Sequence, residues 1–206
     1  MLCAAQAAAL AAPGGRLAVA LDGSRNALAE TNLGDLAADA LRAAADADCA
    51  LIQASALQAA ALPAGPLTDD TIRSVFVFPQ DTVTVLQLDA ARVTGALERS
   101  LSILPLPNKG FLQVSGLRVR FDPGRAPGAR VLSANLAAAN APLDRAKVYR
   151  VAVPESLAKG ALGYFRVFNS APRERSDVTL VQALGRYAGA QGKVSPRVEG
   201  RLQAVQ

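Results

Sequence analysis

Apolar residues recur at helical spacing through Leu33, Leu36, Ala37, Ala40, Leu41 and Ala44, forming one stripe. The same spacing places Asp35, Asp39, Arg42 and Asp46 opposite it, on an expected wet face. Asn32 can cap this helix, and Asp35 can reach back as a short capping box while its charge suits the helix start. The helix is expected to run to about Ala47. Before it, Arg16 to Leu21 alternates loosely and ends at Asp22-Gly23, a strand followed by a turn.

After it, Cys49 to Gln53 is a short apolar run expected to be a central strand. Ala54 to Ala61 is compatible with either helix or loop. Thr68 caps a short helix through Val75, and Asp89 caps one carrying Val93, Ala96, Leu97 and Leu101 on one side. Between them Thr82 to Leu88 is β-branched and strand-like. Phe111 to Phe121 reads as one long strand, with Leu117, Val119 and Phe121 on the buried face and Arg118 and Arg120 on the wet one. Further strands are expected near Arg130 to Leu136, Lys147 to Val153 and Glu199 to Ala204. Phe165 to Phe168 is too short to assign, and Asp177 is placed to cap a last helix reaching about Ala190. Helices and strands interleave without a βαβ period. The expected class is therefore α+β: a single domain with a mixed, largely antiparallel sheet flanked by helices.

Composition narrows the chemistry. With 206 residues, 51% of them hydrophobic, the chain can bury one core, and an aromatic share of 4% makes that core aliphatic. The net charge of +5 comes from arginines scattered along the chain, without the clustered basic patch and interleaved aromatics that nucleic-acid binding needs. There is no histidine, which excludes a Ser-His-Asp triad, a Cys-His pair and a His-ligated metal centre. Cys3 and Cys49 fit neither a metal spacing nor a disulfide framework, and Cys49 reads as a small core residue. Met1 to Ala12 is apolar but lacks the basic start of a secretory signal and is too short to span a bilayer. It reads as a helical fragment ended by Pro13-Gly14-Gly15.

Several stretches taken together resemble the C-terminal domain of the 5′-nucleotidase family. They are Glu30-Thr31-Asn32-Leu33-Gly34-Asp35-Leu36, Phe111-Leu112-Gln113-Val114-Ser115-Gly116-Leu117, Asp122-Pro123 with Pro127-Gly128, Tyr149-Arg150-Val151-Ala152, and Val194-Ser195-Pro196 followed by Val198-Glu199-Gly200-Arg201-Leu202. The resemblance implies a domain over residues 16–206, with residues 1–15 as the remnant of an inter-domain helix. It also implies that hydrolysis belongs to a separate N-terminal metallophosphatase domain holding two divalent metals, so that no cofactor is expected in this chain. The domain matched here would bind the nucleoside, clamping its base between two phenylalanine rings.

Position by position, the binding residues implied by the resemblance are replaced. The family's Asn-Gly-Gly-Gly-Ile-Arg loop falls on Gln53-Ala54-Ser55-Ala56-Leu57-Gln58. That removes both the glycines and the arginine's fork of donors. The arginine often preceding the helix's glutamate is Ala29. One stacking ring corresponds to Phe78 and the other to Ser156. The aspartate that would hold the ribose is Leu162, in Gly160-Ala161-Leu162-Gly163-Tyr164. Phe78 and Tyr164 are read as packing aromatics rather than remnants of a base clamp. Asp69 and Asp70 read as favourable charge at a helix start.

The resulting expectation is a non-catalytic domain of 5′-nucleotidase type, related to nucleotide catabolism, whose nucleoside binding is weak or absent. It would act beside a separate catalytic or envelope protein, outside the cytoplasm, in the periplasm or at the cell surface. Two alternatives stand beside it: a structural or interaction protein of the cell envelope, and the C-terminal fragment of a genuine 5′-nucleotidase or UDP-sugar hydrolase.

Overall fold

The computed structural model describes residues 15–205, so the tail helix expected over Met1 to Ala12, and Cys3 with it, lie outside the described residues. Its centre is a five-stranded sheet with the spatial order Arg173–Thr179, Thr82–Asp89, Val148–Pro154, Cys49–Gln53, Leu112–Ser115. Val148–Pro154 and Cys49–Gln53 run parallel and the other neighbours antiparallel, which makes the sheet mixed. Cys49–Gln53 is buried throughout. Alternation along the strand sends Ala50 and Ile52 into one core and Cys49 and Leu51 into another. The first core lies under helices Asn32–Ala44 and Leu180–Gln191. The second lies between the sheet, helix Ala90–Leu101 and a smaller sheet, ordered Ala141–Pro142, Val131–Leu136, Leu117–Phe121, Leu202–Ala204. The architecture is that of mixed sheets flanked by helices.

The expected long strand from Phe111 to Phe121 is two strands in two different sheets. They part at Gly116, whose φ of +74° favours glycine and where a Cβ would meet the Asp48 carbonyl oxygen at 2.4 Å. The predicted alternation survives beyond the break, with Leu117, Val119 and Phe121 buried and Arg118 and Arg120 exposed. The undecided stretch after Gln53 is a 3₁₀ turn at Ala54–Ala56 followed by a short strand at Ala61–Leu62. The strand expected over Arg16 to Leu21 is split into Gly15–Leu17 and Leu21–Asp22.

Helix caps differ from expectation at two places. Thr31, not Asn32, caps the first helix, its hydroxyl accepting from Gly34 N at 3.0 Å, while Asn32 ties back to Asp22 N and the Ala20 carbonyl. Asp177 lies inside a strand, and Thr179 caps the last helix through a full capping box with Gln182. By contrast, Thr68 and Asp89 cap their helices as the sequence predicts.

The largest departure concerns the expected wet face of the first helix. Residues Leu33 to Ala38 are buried without interruption, and Asp35 is 1% exposed. The chain's last segment crosses this face. Glu30 accepts from the backbone N–H of Glu199 at 2.7 Å and of Leu202 at 2.9 Å. Arg201 grips Asp39 with both terminal nitrogens at 2.8 and 2.9 Å and reaches the Val114 carbonyl at 2.9 Å. On the opposite side, buried Gln113 accepts from Thr31 N and donates to the Asn26 and Ala29 carbonyls. Its side chain lies so close to Gly34 that a Cβ there would sit 2.4 Å away. The sequence stretches around Glu30, Gln113 and Arg201 are thus one another's hydrogen-bond partners.

Candidate functional site

The parallel strands Cys49–Gln53 and Val148–Pro154 end at the same edge of the central sheet, the usual place for a ligand crevice in sheets with parallel strands. Gln53 closes the first strand with its side chain 2% exposed. Its Nε2 donates to Ser156 Oγ at 3.1 Å, just past the second strand's end, and its Oε1 is buried without a partner. The loop before strand Thr82–Asp89 supplies Asp81. Its carboxylate accepts from Thr82 N at 2.9 Å and from Ser156 N at 3.3 Å, so it serves as a cap for the chain turning at Ser156. Beside it, Glu155 pairs with Lys159 at 3.2 Å and Arg175 at 3.3 Å. The Lys159 hydrogen bond, outweighing slight burial, holds the Glu155 carboxyl below the usual glutamate range.

Phe78, three residues before Asp81, is 55% exposed rather than packed, and its carbonyl accepts from Asp81 N. Gln58 is exposed on the adjoining turn, where its backbone bonds Val75 and the Asn26 side chain. Leu162 is half-buried at a left-handed φ of +59°, and its carbonyl accepts from Arg99 at 2.6 Å. Tyr164 is a core residue: it is fully buried, stacks on Phe168 with ring centroids 5.4 Å apart, and donates its hydroxyl to the Gly110 carbonyl at 2.6 Å. Burial pushes its phenol upward. The fold therefore gathers Gln53, Ser156 and the Phe78 loop, places Gln58 on the turn beside that loop, and sinks Tyr164 beneath the surface. Asp81, unmarked in the sequence reading as a partner of Ser156, joins them. Its place at the end of the Phe78-Pro79-Gln80-Asp81 turn was the one available signal.

Chemically the cluster holds an amide, a hydroxyl, an engaged carboxylate and one exposed ring. Among the described residues no group of His, Cys, Asp and Glu could hold a metal ion. Cys49 is buried, and burial raises its thiol to about 12, which leaves it inert at neutral pH.

The mixed central sheet thus carries helices Asn32–Ala44 and Leu180–Gln191 on one face and helix Ala90–Leu101 on the other. Residues 9–170 match the profile described as 5′-nucleotidase, C-terminal domain, and the chain belongs to that family. Over 144 residues it is 32% identical to the snake venom 5′-nucleotidase of Crotalus adamanteus, covering 67% of this chain and 24% of that protein. Over 200 residues it is 32% identical to the trifunctional nucleotide phosphoesterase protein YfkN of Bacillus subtilis, covering 91% of this chain and 13% of that one. Among solved structures, the 5′-nucleotidase precursor of Thermus thermophilus superposes with a TM-score of 0.86 at 28% identity, over 94% of this chain and 39% of that one. The chain thus spans well under half the length of these relatives. No helix among the described residues is long and apolar enough to cross a membrane.

Proposed function

We propose that this chain is a non-catalytic domain of 5′-nucleotidase type whose nucleoside site has been largely lost, and that it works beside a catalytic chain or domain outside the cytoplasm. The observation that carries this reading is the Gln53–Ser156 hydrogen bond, because the Gln53 amide nitrogen is engaged by Ser156 Oγ where the resemblance calls for an asparagine and a stacking ring. Phe78 then has no partner ring at Ser156, and a missing base stack costs about 1–3 kcal/mol. Leu162 adds support. A left-handed φ is tolerated by aspartate better than by leucine, so the backbone keeps a shape suited to the residue that the family carries there. The extracytoplasmic location follows the relatives, one of which is a venom protein and another a precursor.

The test is calorimetry and thermal unfolding with adenosine, AMP and UDP-glucose at millimolar concentration. No saturable effect is expected, whereas a ligand at a hundred times its dissociation constant stabilises by about 2.7 kcal/mol. A saturable shift in the unaltered chain overturns the reading. Binding that appears only in the Ser156→Phe, Leu162→Asp double variant supports it. A second reading, that the chain is the C-terminal part of a genuine nucleotidase, is favoured by its covering only 24% of the Crotalus enzyme. An in-frame metallophosphatase sequence upstream of Met1 would establish it. Co-purification of a stable non-catalytic partner would instead favour an envelope interaction protein.

A further inference from the structure

At the opposite end of strand Cys49–Gln53 from the strand-end cluster, a cleft of about 610 Å³ opens between the C-terminal end of the first helix, the last helix and the smaller sheet. That volume falls in the range of roughly 300–1,000 Å³ typical of small-molecule sites. None of Gln53, Gln58, Phe78, Ser156, Leu162 and Tyr164 lines it. Its cationic groups are unequally occupied. Arg201 is spent on Asp39 and Glu199. Arg42 and Arg118 also line the cleft, and among the described residues neither has an ion-pair partner.

Arg42 is held in place along one edge only. Its Nε donates to Ser115 Oγ at 2.9 Å, and that hydroxyl donates to Asp39 Oδ1 at 2.6 Å, which is itself locked to Arg201. Among the described residues the two terminal nitrogens of Arg42 make no hydrogen bond. A guanidinium fixed through Nε with its outer pair of donors free is arranged to take an oxyanion end-on. Gly116 lies in the floor, and the exposed run Ala137–Ala139 with Tyr187 forms an uncharged wall. The Tyr187 hydroxyl has no hydrogen-bond partner among the described residues.

We propose that this cleft is a second ligand site, independent of the nucleoside region, in which Arg42 and Arg118 hold the oxyanion group of a small organic molecule whose apolar body rests on Ala137–Ala139 and Tyr187. The oxyanion is a phosphate monoester or a carboxylate, two sources of the same bidentate chemistry.

Calorimetric titration of the full chain with inorganic phosphate, phenyl phosphate and phenylacetate tests this. Phenyl phosphate or phenylacetate should bind saturably and more tightly than inorganic phosphate, and the stronger of the two names the source of the oxyanion. Arg42→Met and Arg118→Ser should each weaken that binding by about tenfold or more, the loss expected for a charge-assisted hydrogen bond. Arg120→Ser is the control. It lies on the same exposed strand face but outside the cleft, and it should leave binding unchanged. All three arginine positions are exposed, so the variants should fold, which far-UV circular dichroism checks. The proposal is overturned by absence of saturable binding at millimolar ligand. It is equally overturned by an equal loss in Arg120→Ser, which would mean diffuse charge attraction, or by aromatic ligands binding no better than inorganic phosphate.

Discussion

Three carboxyl groups (Asp35, Asp39 and Glu199) surround the guanidinium of Arg201, with Glu30 acting on Asp35, and the pH dependence of folding should report how they share its charge. Arg201 makes its short contacts with Asp39 and Glu199, at 2.8 and 3.1 Å, and approaches Asp35 only to 3.6 Å. Burial alone would lower the Arg201 pKa, but the Asp39 hydrogen bonds and the surrounding carboxylates outweigh it and keep the guanidinium charged. Neither oxygen of Asp35 accepts a hydrogen bond. Burial therefore pushes the Asp35 carboxyl up to about 9 from 3.8; Arg201 opposes the shift, and Glu30 and Asp39 add to it. Asp35 is therefore expected to stay protonated in the folded chain through neutral pH.

A group whose pKa is raised on folding contributes stability that is complete below its unfolded value, here 3.8, and is lost progressively as pH rises toward about 9. Within that window each pH unit removes about 1.4 kcal/mol, so from about pH 5 to about pH 8 the loss is about 4 kcal/mol. Asp35→Asn keeps the shape and removes the titration. Urea unfolding of both proteins across that range should show the wild type losing about 4 kcal/mol relative to Asp35→Asn. Parallel stability curves would mean that Asp35 is ionised in the fold and would refute the argument.

Two further outcomes follow from the same stitching. Gln113→Leu leaves Thr31 N and the Asn26 and Ala29 carbonyls without their partner, and should cost about 2–4 kcal/mol in denaturant unfolding, since an orphaned buried polar group costs about 1–3 kcal/mol. Thr179→Ala should lose about 1 kcal/mol through the capping box, while Asp177→Ala should stay within about 0.5 kcal/mol. Thermal unfolding of the pair separates them, and a larger loss from Asp177→Ala would place the cap where the sequence pattern put it.

Local pattern alone was enough to place the central strand Cys49–Gln53, the helices capped by Thr68 and Asp89, and the alternation of Leu117, Val119 and Phe121. Each of these rests on periodicity or on a hydroxyl or carboxylate within three residues of the N–H it binds, interactions that are local in the chain. The ordered motifs also carried the family. At the candidate site the resemblance singles out Gln53, Ser156 and Leu162 as substituted positions, but it carries none of their contacts. That Gln53 meets Ser156, 103 residues away, depends on two strands ending side by side.

What only the tertiary structure decided is the meaning of charge and of glycine. Asp35 and Asp39 fall on the polar side of a helical wheel, yet a segment more than 160 residues away covers that side, burying Asp35 and making half-buried Asp39 the ion-pair partner of Arg201. Phe111 to Phe121 has the pattern of one strand, yet the approach of the Asp48 carbonyl to Gly116 turns it into two strands in separate sheets. Helical and strand periods report which residues avoid water. They carry no information about which distant segment excludes it, and that choice belongs to the packed chain as a whole.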